Sequence, residues 1–494
     1  MKYRSTRTAN GVAVSAAYAI KNGIAPDGGL YMPESIPSLT CADLQALCTM
    51  EYAERAAHIL SLYLSDYTKE ELLADCREAY SAARFPGGAA PIRDIDGQIS
   101  SLELWHGPTC AFKDMALQIM PRLLSRALKK TGETRTALIL VATSGDTGKA
   151  ALEGYRDVDG VKILVFFPTD GVSRIQKLQM MTQEGANVGV LGIRGNFDDA
   201  QSGVKRIFGD ADIAKRLNDN GVFLSSANSI NWGRLAPQIA YYVSAYCDMV
   251  TAGKIKMGDI LDIAVPTGNF GNIFAAFLAK QMGVPLGRLI CASNENDVLT
   301  EFLSTGVYDR NRIFHSTTSP SMDILISSNL ERLLYTCFGA ERTAECMDML
   351  SKEGRYSLAD SELAKIRANF LGYACSQTET AKYIAEAFHT RAYLMDTHTA
   401  VGYGAAKKYA EAEQSTTPLV LASTASPYKF APAVYNAITC TEAPDGTASL
   451  LSLCERSGVP IPSPLSGLDE KPILHDRTID VCEMSAAVED FARS

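Results

Sequence analysis

From about Cys41 to Ala83 the apolar residues fall at helical spacing. Leu44, Leu47 and Cys48 are followed by Ala53, Ala56, Ala57, Leu60 and Leu64, with Glu, Arg and Asp on the other faces. This predicts an all-helical N-terminal region, placed at 1–95, that closes near Phe85-Pro86-Gly87-Gly88. Beyond it, short apolar runs alternate with Gly-rich turns and longer helical stretches, the pattern of a parallel α/β sheet. The clearest strands are 137–142 (ALILVA), 161–167 (VKILVFF), 188–193, 261–265 (LDIAV), 288–292, 393–395 and 419–422. Because these runs are apolar on both faces, helices should cover both sides of the sheets. The expected division of 96–494 is a small α/β subdomain at about 115–210 and a large α/β domain from the remainder. In such sheets ligands sit beyond the carboxyl ends of the strands, so the chemistry belongs in the segments just after them.

Composition narrows the classes. With 494 residues, 47% hydrophobic and 21% charged, the chain can build two or three packed domains. A net charge of −9, with Lys and Arg spread along the chain, argues against a nucleic-acid partner. The twelve cysteines form no C-x-x-C pair and no zinc-type spacing with His, so no metal and no disulfide framework is expected, only reduced thiols. The start, MKYRSTRTANGV, has no apolar signal segment, and no apolar run approaches the ~20 residues that span a bilayer. A cytoplasmic protein without a membrane partner is the expectation.

Three segments carry candidate chemistry. After the strand ending at Ala142 come Thr143-Ser144-Gly145-Asp146-Thr147-Gly148 and then a helix. Hydroxyls, glycines and backbone N–H groups at a helix start suit a carboxylate or phosphate, although a plain capped turn has the same composition. After the strand 261–265 comes Pro266-Thr267-Gly268-Asn269-Phe270-Gly271-Asn272, whose N–H groups can form a nest for a phosphate or simply turn the chain. It lacks the Lys-Ser/Thr ending of a nucleotide-binding loop. The third segment, Leu104-Trp-His-Gly-Pro-Thr-Cys-Ala-Phe-Lys-Asp-Met, sets Lys113 between an aromatic residue and an acid. Most lysines are solvated surface charges. A lysine that binds an aldehyde cofactor needs an anchor for the cofactor phosphate and another for a substrate carboxylate, and the two loops would supply them.

HGPTCAFKD, ATSGDTG, PTGNFGN and LASTASPYKF, taken together, resemble the threonine synthase family of fold-type II (tryptophan synthase beta-like) pyridoxal-phosphate enzymes. MKYRSTR with GIAPDGGLYMPESIP is similar to that family's N-terminal domain, and VSRIQKLQMMTQEG, NSINWGRLAPQ and NENDVLTEFL to stretches of its catalytic region. The resemblance runs in order from Met1 to about Phe430. It implies that pyridoxal 5'-phosphate is carried by Lys113 as a Schiff base, and that Lys113 also moves protons at the substrate's α and β carbons. Gly268, Asn269, Phe270, Gly271 and Asn272 would hold the cofactor phosphate. Asp146 would lie near the cofactor's phenolic oxygen, Ser144 and Thr147 near the substrate carboxylate, and Thr424 at the pyridine nitrogen. The implied substrate is O-phosphohomoserine, converted with water to threonine and phosphate by a monomer or homodimer. The alternatives are a phospholyase giving a keto acid, ammonia and phosphate, and a catalytically silent relative.

The substrate phosphoryl group calls for cations, and a guanidinium fork suits it best. Arg234 is the first candidate and Lys429 the second, each with a surface ion pair as its plain alternative. His398 reads as a structural hydrogen-bonding residue, and His106 as either a site neighbour or a turn cap. Met180 and Met181 read as core packing. Position 426 holds Ser where many relatives carry His, so no imidazole is assigned there.

Overall fold

The computed structural model describes residues 1–143, 145–169 and 172–494, with the Asp198 side chain left out. Helices Cys41–Cys48, Tyr52–Tyr63 and Lys69–Ala79 cover the N-terminal stretch. Thr40 with Asp43, and Thr68 with Glu71, close capping boxes that fix the starts of the first and third. Their apolar stripes pack inward: Leu44, Leu47, Ala56, Leu60 and Leu64 are all buried.

The region is not all-helical. Tyr3–Ser5 pairs antiparallel with Tyr31–Pro33. Three-residue strands are too short to show a period of two, so hydrophobic periodicity misses them. The pair matters, because the buried rings of Tyr3 and Tyr63 both lie 5.5 Å from Trp232 at the start of helix Trp232–Thr251. That helix is buried along most of its length and joins the N-terminal helices to the rest of the molecule.

The remaining strands form two mainly parallel sheets. The larger has the order Phe370–Ala374, Leu286–Ser293, Leu261–Pro266, Leu419–Ser423, Ile99–Glu103, Ile92–Asp94, and only its last strand is antiparallel to its neighbour. The smaller runs Thr478–Asp480, Val188–Arg194, Val161–Pro168, Thr136–Ala142, Val222–Ser225, all parallel. It therefore also takes in strands from 222–225 and from the C-terminal end of the chain, where helix Met484–Arg493 packs beneath it. The strands read from the sequence are present with one correction: 393–395 is no strand. Those residues are an irregular lead into helix Thr397–Ala412, and Met395 is buried by passing through the core rather than by pairing in a sheet.

No helix among the described residues is long and apolar enough to cross a membrane.

Candidate active site

Leu261–Pro266, Leu419–Ser423 and Ile99–Glu103 are parallel neighbours, so their carboxyl ends open side by side. Each strand end leads into a segment marked in the sequence: the 267–272 loop, by composition; the 424–430 turn, by the resemblance alone; and the segment bearing Lys113, by composition. The last two are laced together. Leu104 N–H donates to Ser423 O at 3.0 Å, Phe112 N–H to Thr424 O at 2.8 Å and Ser426 N–H to Cys110 O at 3.0 Å. Cys110 takes φ 60°, a left-handed turn that is costly for a side chain with a Cβ and sets the segment's bend.

Lys113 is only 8% exposed. Its Nζ lies 3.2 Å from Ser321 Oγ and 3.5 Å from Asp146 Oδ2. Burial lowers its amine pKa, and the positive charges of Lys429 and Arg234 act in the same direction, against the pull of Asp146. Asp146 opens helix Asp146–Tyr155 and is itself buried. Its Oδ1 takes Lys429 Nζ at 2.8 Å and Gln176 Nε2 at 2.9 Å. Burial pushes its carboxyl up, yet the Lys429 and Lys113 ammonium groups win and hold it well below the usual carboxylate range. Lys429, with no exposed side-chain surface, also donates to Thr109 O at 3.0 Å. Thr109 in turn donates from N–H and Oγ1 to Asp114 at 2.8 and 2.7 Å. Burial, opposed by those bonds, raises the Asp114 carboxyl to about 6.

The 267–272 loop has the shape an anion needs. Phe270 adopts φ 61° and leads into helix Gly271–Gln281. None of the N–H groups of Gly268, Asn269, Phe270, Gly271 and Asn272 donates to a protein acceptor among the described residues. The loop's carbonyls are held from behind: Ser327 Oγ donates to Gly268 O at 2.7 Å, and Asn329 Nδ2 to Asn269 O at 2.9 Å. A Cβ on Gly268 would stand 2.5 Å from Ser321 O. Asn272 Oδ1 accepts from Tyr241 and Tyr242, while its buried Nδ2 has no partner. Unpaired buried donors at a helix start are the chemistry that receives a phosphate.

Arg234, in helix Trp232–Thr251, is buried and not in a surface ion pair. Nη1 donates to Ala227 O at 2.5 Å, and the buried Nε has no partner. Desolvation lowers this guanidinium to about 10. Thr424 is buried, its N–H reaching Thr399 Oγ1 at 3.3 Å. Thr147 is half-buried at the second position of its helix, and Ser144 lies outside the described residues.

His398 has the hydrogen-bonding role read from the sequence: it links Asp396 Oδ2, 2.8 Å away, to the Ser321 N–H at 3.1 Å. His106 turns to Glu103 at 2.8 Å and stacks on Trp105. Met180 is buried, and Met181 packs partly buried against the same core. Ser426 accepts from Tyr428 N–H at 3.3 Å, a turn bond. Sequence reasoning missed Ser321 and Gln176. Both are common polar residues brought in by tertiary contacts, with no local pattern to mark them.

Comparisons with known proteins agree with this geometry. Family models match at residues 2–80 (threonine synthase N terminus), 102–423 (pyridoxal-phosphate dependent enzyme) and 399–473 (threonine synthase, C-terminal). The threonine synthase of Pseudomonas aeruginosa is 39% identical over 459 residues, 92% of this chain and 94% of that protein. The chain belongs to the threonine synthase family. Human threonine synthase-like 1 is also 39% identical, over 88% of this chain, and the chain spans 59% of that longer protein. The crystal structure of pyridoxal-phosphate-bound threonine synthase from Brucella melitensis superposes with a TM-score of 0.88 at 35% identity, each chain covered fully (100%). The fold is thus that of the fold-type II pyridoxal-phosphate enzymes, and the residues present fit that cofactor. A buried lysine amine, a loop of N–H groups and an Asn272 donor, the last two without partners among the described residues, meet at the carboxyl ends of neighbouring strands.

Proposed function

We propose that the chain converts O-phospho-L-homoserine and water to L-threonine and inorganic phosphate, using pyridoxal 5'-phosphate. The observation that carries this reading is a buried guanidinium, Arg234, with an unpaired Nε, on the helix that packs against Asp114–Leu117, the turn directly after Lys113. The cofactor phosphate and the substrate carboxylate already have receptors in the two glycine-containing loops, so a further desolvated cation suits a third anion, a phosphoryl group on the substrate.

When bound, the cofactor supplies an electron sink for charge developing at the substrate's α and β carbons. Lys113 Nζ is its covalent attachment point, and the backbone N–H groups of Gly268, Asn269, Phe270, Gly271 and Asn272 take its phosphate. Asp146 would serve the phenolic oxygen and Thr424 the pyridine nitrogen, where a hydroxyl could not hold full protonation. Ser144 and Thr147 bind the substrate carboxylate. As a free amine, Nζ would accept a proton from Cα and hand it on before accepting one from Cβ, and the two would return to the carbon skeleton at Cα and Cγ as threonine forms; burial favours the proton-accepting form. Arg234, ahead of Lys429, binds the γ-phosphoryl group and stabilises it as it leaves. Water then adds at Cβ. This reading places the enzyme in the cytoplasm.

Phosphate, threonine, keto acid and ammonia measured together on O-phosphohomoserine test this reading. Equal amounts of threonine and phosphate are expected, and Lys113→Ala should make neither. Keto acid and ammonia in place of threonine would assign the chain to the phospholyases, and no turnover would refute both.

A further inference from the structure

We infer that the hydroxyl of Ser321 is a catalytic group of this site, accepting a hydrogen bond from the Lys113 amine and so fixing its direction and its readiness to give up a proton. The inference rests on the proposed role of Lys113 as cofactor attachment point and proton carrier.

Distance and bonding favour Ser321 over Asp146 as the amine's partner. Ser321 Oγ is 3.2 Å from Nζ, whereas Asp146 Oδ2 is 3.5 Å away, and the Asp146 carboxylate already holds Lys429 at 2.8 Å. The charged groups that face the amine are Asp146 from helix Asp146–Tyr155, Lys429 from the turn Pro427–Phe430 and Arg234 from helix Trp232–Thr251. Two cations oppose one shared anion, so a neutral acceptor at 3.2 Å gives a protonated Nζ a stabilising contact that the local charge balance does not.

The single turn Pro320–Met322 that presents Ser321 is pinned on every side. The Ser321 N–H donates to His398 Nε2 at 3.1 Å, so the imidazole proton is on Nδ1, donated to the buried Asp396 at 2.8 Å. Thr397 Oγ1 donates to Thr318 O at 2.6 Å. Just beyond the turn, Asp323 accepts from Thr317 N–H at 2.9 Å, Asn294 Nδ2 at 2.7 Å and Asn296 Nδ2 at 3.1 Å. The Ser321 carbonyl abuts Gly268, where a Cβ would come within 2.5 Å. None of these supporting side chains bonds to Lys113; they are positioning residues, and what they position is a hydroxyl that touches the amine. In the proton transfers a carbon-bound hydrogen passes to the Nζ lone pair while an N–H of the same amine donates to Ser321 Oγ. The serine neither gains nor loses atoms.

The first measurement needs no substrate. The full-length chain is stripped of cofactor, and capture of pyridoxal phosphate by Lys113 is followed by absorbance from pH 6 to 10. Loss of an acceptor that favours the ammonium lowers the amine pKa. The capture rate of Ser321→Ala should therefore inflect about half a unit or more below wild type, and that of Ser321→Thr at the wild-type position. In the reloaded enzyme, Ser321→Ala should lose about tenfold in kcat, with KM held within about threefold. A folded Ser321→Ala with wild-type inflection and kcat overturns the inference. If the Ala variant does not fold, Ser321→Val against Ser321→Thr decides, since the two share a shape and differ in the hydroxyl: equal curves overturn it, separated curves uphold it. A wild type inert on O-phosphohomoserine would sink the proposed function, yet the capture curves would still judge Ser321.

Discussion

At the scale of single residues, the two cations proposed for the substrate phosphate differ in what they already hold. Lys429 is committed to Asp146 and Thr109 O, so its removal strips a buried carboxylate of its partner and damages the site whatever the substrate does. Arg234 gives only Nη1 to a neutral carbonyl. Arg234→Ala should therefore lose roughly 30-fold or more in kcat/KM, the ~2–4 kcal/mol of a desolvated charge-assisted pair, with cofactor affinity unchanged. Arg234→Lys should recover part of the loss, since an ammonium keeps the charge without the fork. Near-normal kcat/KM in Arg234→Ala would return the role to Lys429. Asp114 supplies a pH dependence. Its folded pKa of about 6 lies above the ~3.9 of a free Asp, so the folded chain holds a proton that the unfolded chain releases first. This contribution is fully present below about pH 4 and is lost as pH rises through 6, at most ~3 kcal/mol. Denaturant unfolding of Asp114→Asn at pH 4.5 and 7.5 should show a smaller fall in stability than wild type, and an equal fall would discard Asp114 as its source.

At the scale of elements, legibility tracked length. Long helices and wholly apolar strands carry enough residues to display their period, and so the strands that feed the site could be read from sequence, together with the loops at their carboxyl ends. The lysine segment and both loops were located by composition and resemblance. The pair Tyr3–Ser5 and Tyr31–Pro33 could not be, nor could the turn Pro320–Met322, because three residues show no periodicity. The loop glycines likewise look alike in sequence and differ in space. A Cβ on Gly271 would meet a movable amide, Asn329 Nδ2, at 3.3 Å, while one on Gly268 would meet backbone, Ser321 O, at 2.5 Å. Gly268→Ala should therefore push two site loops apart and weaken cofactor binding by tenfold or more, about 1.4 kcal/mol, with Gly271→Ala milder. Titration of cofactor into the two variants checks the order, and a milder Gly268→Ala would mean that the 320–322 turn yields freely.

At the scale of the whole molecule, the N-terminal region and the cofactor loop share one buried side chain. Arg332 is fully buried, faces the Trp232 ring at 5.9 Å and is lowered to about 9 by desolvation. Its neighbour Glu331 is taken by Arg7 at 2.8 Å, so the Arg332 guanidinium is held by neutral oxygens instead. Nη2 donates to Tyr31 O at 3.2 Å and to Ile230 O at 2.6 Å, and Nη1 to Asn329 Oδ1. Tyr31 is in the N-terminal strand pair, Ile230 lies just ahead of the helix that bears Arg234, and Asn329 holds Asn269 of the anion loop. One side chain thus ties three segments that are distant in sequence, at the cost of keeping a cation out of water. Arg332→Leu should orphan three oxygens together. Leaving buried acceptors without their donor costs about 1–3 kcal/mol, enough to lower Tm by a few degrees. A general loss of packing would stop there. The bonding through Asn329 adds a second effect: cofactor affinity should fall at temperatures where the variant is still folded, and limited proteolysis should open the first 80 residues before the catalytic region. Asn329→Ala should reproduce the loss of cofactor affinity without the early cleavage, since it leaves the Arg332 bonds to Tyr31 and Ile230 in place. If Arg332→Leu lowers Tm and leaves cofactor affinity and the cleavage order as in wild type, the N-terminal region is joined to the site by packing alone.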